Sequence, residues 1–331
     1  MSTAITLTPA FATGEPATYR GITVVPLYPV SEPVAAYITL AEAITLGLSV
    51  TEVDEDGVVG ELLVANPTPH RVLMYDGEEL EGAKQNRILN VSVLVEAGST
   101  LVVPVSCVEA GRWNYDADGN GDHQRVFSAV RRTSSPRVRR AKEEHLRSAP
   151  LARGVAQSAV WGAVDDTHHE RGSTSLTTAY SDAVRHVQPD LDKLVGEFPL
   201  RPGQCGVLLG YGGAVVCMDA VSRAEAYEGL HQALLSGYIM DALSFVDGKG
   251  IGKKEADSFL AAVSAAKATR RPSAGLGDDL RLSAQAVTGS GLEFDGEVIQ
   301  MTAYPTDSDG GRARSMQHAP RIARPTRRRT A

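Results

Sequence analysis

The sequence predicts an α+β protein with a β-sandwich-like antiparallel N-terminal half, a helical middle, and a mixed C-terminal half with antiparallel hairpins. Three patterns predict this fold class. Short apolar segments separated by turn residues recur over residues 20–123, a density typical of an antiparallel β-sandwich. Residues 124–200 show helical spacing of charged and apolar positions. Gly212-Gly213 and Asp295-Gly296 each join two apolar segments, as the turns of two-residue β-hairpins do.

Changes in composition divide the chain into five predicted segments. They are a flexible N-terminus (1–19), a β-rich half (20–123), a helical middle (124–200), a mixed α+β half (201–304) and a disordered basic tail (305–331). The tail is rich in Gly, Pro and Arg and lacks an apolar pattern, so it cannot bury enough apolar surface to fold.

In the β-rich half, the apolar pattern predicts several short strands and one short helix. The helix begins after Thr39, and Glu42 three residues later has the spacing of a capping box. Residues 88–95 alternate as one half-buried strand, and a turn at 97–100 leads into a second strand at 101–105. The other predicted strands span residues 21–28, 50–54, 58–64 and 71–75.

Helices alternate with hairpins in the rest of the chain. Ser222 is predicted to cap a long helix that runs to about residue 243, because Glu225 completes a capping box. The other predicted helices span residues 135–148, 154–171, 175–195 and 253–267. The predicted strands span residues 206–211, 214–219, 279–286, 291–294 and 297–302.

Composition is that of an ordinary soluble globular protein. Hydrophobic residues make up 43% of the 331 residues and charged residues 22%, with a net charge of −7. The acidic balance argues against a general nucleic-acid binder. No signal peptide and no membrane-length apolar segment is recognised, and three cysteines suit a reducing compartment, so we expect a cytoplasmic protein.

Two polar clusters flank the predicted hairpin, and antiparallel pairing would bring them to one end of the sheet. The start of the first strand would lie beside the end of the second strand. Such a gathering is costly to bury without partners, which makes it either a site for a polar ligand or a self-satisfied network. The residues gathered in this way are Lys84, Gln85, Asn86, Arg87, Cys107, Glu109, Arg112 and Trp113.

The cations and the tryptophan of this cluster suggest a phosphorylated ligand. Lys84, Arg87 and Arg112 offer cationic donors, and the arginine fork matches phosphate in two parallel bonds. Trp113 offers a flat face for stacking. The alternative is that the charges pair with one another and lock the sheet.

The amides of the cluster suggest contacts with hydroxyl groups of the ligand, and its carboxylates suggest a catalytic base. Gln85 and Asn86 both donate and accept hydrogen bonds, as ribose hydroxyls and base edges require. In an enzyme, Glu109 or Glu79 would act as the base of a hydrolysis. Cys107 is interpreted as a buried structural thiol, because Glu109 on the same face opposes thiolate formation.

Three further patterns admit a functional and a structural interpretation. The sequence at 116–122 copies the start of a calcium loop but lacks its last glutamate, which favours a plain turn. Residues 248–254 look like the hairpin of a DNA-binding helix-hairpin-helix unit. The arginines from Arg125 to Arg147 are predicted to lie on a solvated helix face, and the alternative is a mobile arm that folds over an anionic ligand. His168-His169 is predicted to be a surface pair rather than a metal site.

Several segments resemble the ARG and rhodanese-phosphatase-superfamily-associated protein family. The resemblance rests on D-G-E-E-L-E-G-A-K-Q-N-R, V-P-V-S-C-V-E-A-G-R-W, G-V-L-L-G-Y-G-G-A-V-V-C-M-D, L-L-S-G-Y-I-M-D-A-L and G-S-G-L-E-F-D-G-E-V-I-Q-M, and extends over residues 22–304. The family has no established reaction, and its link to ADP-ribose metabolism implies an ADP-ribose-like or other phosphorylated ligand. The alternatives are a non-catalytic scaffold and a DNA-associated protein; no cofactor is predicted.

Overall fold

The computed structural model describes residues 4–6, 10–54, 57–82, 84–111, 127–148 and 157–306, and within these residues the chain has the predicted α+β class. Arg112, Trp113, the calcium-like pattern at 116–122 and the predicted tail beyond residue 306 lie outside the described residues.

The strands and helices of the described residues are numbered in chain order. The strands are β1 Ala4–Thr6, β2 Phe11–Thr13, β3 Ala17–Tyr19, β4 Ile22–Pro29, β5 Ile38–Thr39, β6 Ser49–Glu52, β7 Glu61–Asn66, β8 Val72–Met74, β9 Glu78–Gly82, β10 Arg87–Leu89, β11 Val93–Val95, β12 Ser99–Cys107, β13 Phe127–Thr133, β14 Gly206–Tyr211, β15 Ala214–Val221, β16 Lys267–Pro272, β17 Asp278–Ser283, β18 Val287–Phe294 and β19 Glu297–Pro305. The helices are α1 Leu40–Thr45, α2 Pro136–Ser148, α3 Gln157–Arg171, α4 Tyr180–Val195, α5 Ala224–Ala242 and α6 Lys253–Ser264.

The strands form three sheets within the described residues. The largest is a 10-stranded sheet in the order β1-β16-β17-β18-β19-β15-β14-β4-β2, with β3 also paired to β4. The second is a 6-stranded sheet in the order β13-β9-β10-β12-β7-β6, and the third contains β11, β8 and β5. Because β4 pairs antiparallel with β14, strands from the two ends of the chain share the largest sheet.

The largest sheet is covered on both faces, and β14 illustrates this. Val207 and Leu209 pack into a cluster with the apolar residues of α3, α4 and α5, whereas Leu208 packs on the opposite face with Phe259 of α6. A strand buried on both faces has apolar residues at consecutive positions, as in the sequence of β14. The same cluster as Val207 contains Ile88 of β10, so it also reaches the 6-stranded sheet.

The two C-terminal hairpins have their turns at the residues where the sequence predicts them. Gly212 and Gly213 link β14 to β15 with φ of 61° and 76°, and Asp295 and Gly296 link β18 to β19 with φ of 51° and 81°. Positive φ at both central residues is the backbone of a type I′ turn, whose twist matches that of the flanking strands.

One predicted helix cap is confirmed and another is wrong. At α1, the Thr39 N–H donates to Glu42 Oε2 at 2.7 Å and the Glu42 N–H donates to Thr39 Oγ1 at 3.4 Å, a complete capping box. At α5 the N-cap is Arg223, which makes no side-chain cap. Ser222 does not cap this helix, because its hydroxyl pairs instead with the Tyr37 hydroxyl at 3.0 Å.

The central hairpin is present, but its first strand is divided in two. β10 pairs antiparallel with the end of β12, and β11 pairs with β8 in another sheet. The side chains between them explain the division, since Asn90 Oδ1 accepts from Ser106 Oγ at 2.7 Å and Ser92 Oγ accepts from the Asp76 N–H at 2.9 Å. The N-terminus also differs from its predicted flexibility, because residues 4–6 and 10–19 contribute β1, β2 and β3 to the largest sheet.

Candidate functional site

An open groove of about 1030 Å³ lies where the ends of β9, β10 and β12 meet the segment that leads into α4. Most of its lining side chains are polar, and they include acids, hydroxyls, an amide and a guanidinium. The lining residues are Glu81, Gly82, Asn86, Glu109, Thr174, Ser175, Leu176, Thr177, Ala179, Ser181, Asp182, Arg185 and His186.

Glu109 is one of the buried residues of this lining, and two of its hydrogen bonds orient its carboxylate. Its Oε2 accepts from the Asn86 N–H at 3.0 Å, and its Oε1 accepts from Thr177 Oγ1 at 2.8 Å. The residue is 4% exposed. The β10–β12 pairing brings these groups together, since the Val108 N–H donates to Asn86 O at 3.0 Å immediately beyond the paired strands. A carboxylate fixed in this way is oriented before any ligand arrives.

The first turns of α4 form the charged rim of the groove. Arg185 binds Asp182 and lies 3.8 Å from Glu81 across the opening, and its side chain is 59% exposed. Burial raises the pKa of Asp182, but hydrogen bonds from Ser175 and Arg185 outweigh this effect and lower it below its usual value. The rim therefore presents an ionised carboxylate beside an exposed guanidinium.

The segment between α3 and α4 is fastened to the body of the protein. The Gly111 N–H donates to Thr177 O at 2.9 Å, and a side chain at Gly111 would meet the Thr177 Cα at 2.9 Å. Ser175 Oγ accepts from the Ala179 N–H at 3.0 Å. His168, whose ring contacts Ser173 Oγ at 2.8 Å and Ala179 O at 3.0 Å, is buried within the fold rather than part of a surface pair.

Of the predicted site residues, Asn86 and Glu109 line the groove, whereas Gln85 and Arg87 do not. Successive side chains of a strand point to opposite faces, so Arg87 lies on the face away from Asn86. Arg87 is fully buried, donates from Nη1 to Gln85 Oε1 at 3.1 Å, and lies 3.9 Å from Glu52. These contacts place Arg87 in a network inside the fold.

The remaining predicted residues occupy varied positions. Glu79 is fully buried on β9, opposite Ile88, and is outside the groove lining. Lys84 is partly buried and donates its backbone N–H to Glu52 Oε1 at 3.4 Å. Cys107 is buried, and burial raises the pKa of its thiol to about 11, so the thiol is protonated at neutral pH. This agrees with the structural role predicted for Cys107.

A buried ionic cluster is the feature that the sequence analysis missed. The expectation of a solvated face is wrong for Arg139 of α2, which is 1% exposed. Its Nη1 donates to Asp219 Oδ2 at 2.9 Å and its Nη2 to Asp219 Oδ1 at 2.6 Å. The hydroxyls of Tyr75 and Thr302 also donate to Asp219 Oδ1, each at 2.6 Å. This cluster joins α2 to β15 and β19 inside the protein.

A second buried cation extends the cluster. Lys142, one turn after Arg139 on α2, binds Asp76 and donates to Leu89 O at 2.7 Å, while Arg139 lies 3.5 Å from Asp76. The signals available in the sequence are the three-residue spacing of the two cations and the aspartate within the apolar segment of β15. The spacing puts both cations on one helix face, but it does not identify their partners.

The glycine-rich segment at 248–254 is integrated into the fold. The Ile251 N–H donates to Thr23 Oγ1 at 3.1 Å and the Gly252 N–H donates to Glu255 Oε2 at 3.0 Å. Lys253 Nζ donates to Asp257 Oδ1 at 3.0 Å. These internal contacts engage groups that a DNA phosphate would otherwise use.

The residues that the structure describes hold no cluster of metal ligands and no membrane-spanning helix. No group of three or more His, Cys, Asp or Glu side chains there is arranged to hold a metal ion. No helix there is long and apolar enough to cross a membrane.

Comparison with known proteins identifies the family of the chain. Neither the curated proteins nor the solved structures contain a match. The family model of the ARG and Rhodanese-Phosphatase-superfamily-associated Protein domain matches residues 10–304, which include every described residue of the groove and of the buried ionic cluster. The chain belongs to the ARG and Rhodanese-Phosphatase-superfamily-associated Protein domain family.

Proposed function

We propose that the groove binds a small molecule that carries ribose and phosphate groups, with ADP-ribose or a derivative as the leading candidate. The observation that carries this proposal is the fixed Glu109 carboxylate within an open polar groove that also presents the exposed Arg185 guanidinium. Carboxylate and amide groups suit ribose hydroxyls, and a guanidinium suits phosphate. The link of the family to ADP-ribose metabolism supports the choice of ligand.

As an enzyme, the protein would be a hydrolase that acts on an ADP-ribose derivative. Glu109 is the best-placed base, because it lines the groove and its orientation is fixed by Asn86 and Thr177. Glu79 is less well placed, because it is fully buried outside the lining. Asn86, with Ser181 beside it at 3.4 Å, would contact ligand hydroxyls.

Calorimetric titration with ADP-ribose, AMP and ribose 5-phosphate tests the proposal. We expect wild type to bind ADP-ribose and Arg185→Gln to bind it at least tenfold more weakly, since charge-assisted bonds to phosphate contribute about 1.5–3 kcal/mol. Arg270→Gln is a matched control, because Arg270 is another partly exposed, carboxylate-paired arginine and it lies on β16, outside the groove. Lack of binding by wild type, or equal losses in the two variants, would contradict the proposal.

Turnover is tested separately from binding. With ADP-ribose in excess, chromatography of the reaction mixture would detect hydrolysis products. Glu109→Gln should abolish these products while the affinity for ADP-ribose changes less than about threefold, which corresponds to about 0.7 kcal/mol. Glu79→Gln should retain turnover if Glu109 is the base. Full turnover by Glu109→Gln would exclude Glu109 as the base and leave the binding proposal intact.

The second candidate is a non-catalytic scaffold whose polar residues lock the fold. The buried contacts of Arg87 with Gln85 and Glu52 favour this function, because they show that part of the predicted cluster is satisfied internally. A scaffold would bind none of the three ligands. In a scaffold, Arg87→Met would lower the free energy of unfolding by about 3–5 kcal/mol, the usual cost of removing one partner of a buried ion pair. The titration therefore discriminates between the two candidates.

A further inference from the structure

We propose that Leu176 makes the groove selective for ligands that carry a nucleobase, by packing against the face of the base. This inference rests on the proposed function, since it names the chemical class of the ligand within the same groove. Leu176 lines the groove and its side chain is fully exposed. The groove lining contains one other apolar side chain among the described residues, Ala179, and that residue is buried.

Hydrogen bonds of the neighbouring residues hold the backbone of Leu176 beside the groove. Ser175, directly before it, donates to Asp182 Oδ2 at 2.5 Å and accepts from the Thr177 N–H at 3.3 Å. Thr177, directly after it, donates to Glu109 Oε1 at 2.8 Å and accepts from the Gly111 N–H at 2.9 Å. The backbone on both sides of Leu176 is therefore anchored to residues of the groove lining.

The backbone two residues after Leu176 is strained. Thr178 has φ of 54°, in the left-handed region that a β-branched residue rarely adopts. Such strain persists where the surrounding structure enforces it, and it occurs disproportionately at ligand-binding positions. The turn that carries Leu176 is thus followed directly by a backbone conformation that the surrounding contacts must enforce.

The chemistry of the residues that share the groove with Leu176 suggests what it contacts. A phosphorylated ribose has hydroxyls and charges for the polar lining, but it has no extensive apolar surface. A nucleobase adds two flat faces, and covering one of them with a leucine side chain removes apolar surface of both groups from water. The polar lining would accept either ligand, so the leucine would provide the discrimination between them.

Titration of wild type and Leu176→Ser with ADP-ribose, AMP and ribose 5-phosphate tests this inference. We expect the variant to bind ADP-ribose and AMP roughly tenfold more weakly, the effect of losing about half of a buried leucine contact. Its affinity for ribose 5-phosphate should change less than about twofold. Leu46→Ser is the matched control, because Leu46 is also an exposed leucine, 56% accessible, and lies beside α1 outside the groove.

The outcomes separate this inference from the function on which it rests. If wild type binds all three ligands and Leu176→Ser weakens them equally, or weakens none, the selectivity role of Leu176 is refuted while the proposed function stands. Equal affinity of wild type for ADP-ribose and ribose 5-phosphate would also refute it. If wild type binds none of the three, both the proposed function and the inference are refuted. Because Leu176 is fully exposed, unchanged urea unfolding would establish that the variant is folded.

Discussion

Replacing Arg139 with methionine should destabilise the protein far more than its helical sequence context suggests. The change removes the two bonds to Asp219, at 2.9 and 2.6 Å, and the 3.5 Å contact with Asp76. The Asp219 carboxylate, which is fully buried, then keeps only neutral donors such as Tyr75. Removing one partner of a buried ion pair typically costs about 3–5 kcal/mol, because the other charge remains without compensation.

Urea unfolding followed by circular dichroism measures this cost. Against a total stability of about 5–15 kcal/mol, a loss of that size is readily measured. Arg223→Met is the control: Arg223 pairs at 3.5 Å with Glu225, whose side chain is exposed, so a loss of about 1 kcal/mol or less is expected. The double variant Arg139→Met, Asp219→Asn should be more stable than the sum of the single changes predicts, since it also removes the buried charge.

Two results would refute this reasoning. The first is a loss below about 1 kcal/mol for Arg139→Met, the range of an ordinary substitution, which would mean that Asp219 needs no cation. The second is strict additivity in the double-mutant cycle, which would mean that Arg139 and Asp219 stabilise the fold independently. In either case the cluster would not lock α2 onto β15.

Three further predictions concern a buried acid, a glycine and the thiols. Burial raises the pKa of Glu78 to about 7, so the folded state holds a proton that the unfolded state loses from about pH 4.5, and stability falls as the pH rises through this window. The free energy of unfolding of wild type should therefore fall by roughly 2–3 kcal/mol relative to that of Glu78→Gln when the pH is raised from 5 to 8, as measured by urea unfolding. The same pH dependence in both proteins would contradict the buried proton. Gly77→Ala should lower the free energy of unfolding by more than about 2 kcal/mol, because φ is 79° and the new Cβ would lie 2.7 Å from Arg139 Cδ. Gly98→Ala, where φ is 66° but the Cβ would meet open space, should lower it by about 1 kcal/mol. Equal losses in the two variants would refute the steric argument. A thiol reagent at pH 8 should label none of the three buried cysteines in the native protein and all of them in urea, whereas rapid native labelling of Cys107 would contradict its pKa of about 11.

Local signals in the sequence predicted those parts of the fold that depend on neighbouring residues. The Gly212-Gly213 turn and the Thr39–Glu42 capping box each act over a few residues, and both are present. The pairing of β10 with β12 followed from one short connection. The division of the first hairpin strand did not, because the bond from Ser106 to Asn90 depends on side-chain positions in the folded sheet.

The missed features depend on contacts between distant residues. Arg139 is 80 residues from Asp219, and its neighbours Arg137 and Arg140 give no indication that one of the arginines is buried. The groove was equally hard to predict from the sequence, because its residues Thr177 and Glu109 are hydrogen-bonded although they are 68 residues apart in the chain. Prediction from the sequence therefore found one wall of the groove, with Asn86 and Glu109, but not the opposite wall.

The pairing of β4 with β14 has a consequence for folding during synthesis. Val25 lies opposite Leu208, so the strand that follows the N-terminus meets its partner only after about 180 further residues have been made. Until then, β4 can pair with β2 and β3, which precede it in the chain, but the strands that continue this sheet from β14 onward have not yet been made. Closing so long a loop is slow, because its entropy is lost before the contacts form. We expect the protein to complete its main sheet only near the end of translation, and to depend on chaperones when it is produced rapidly.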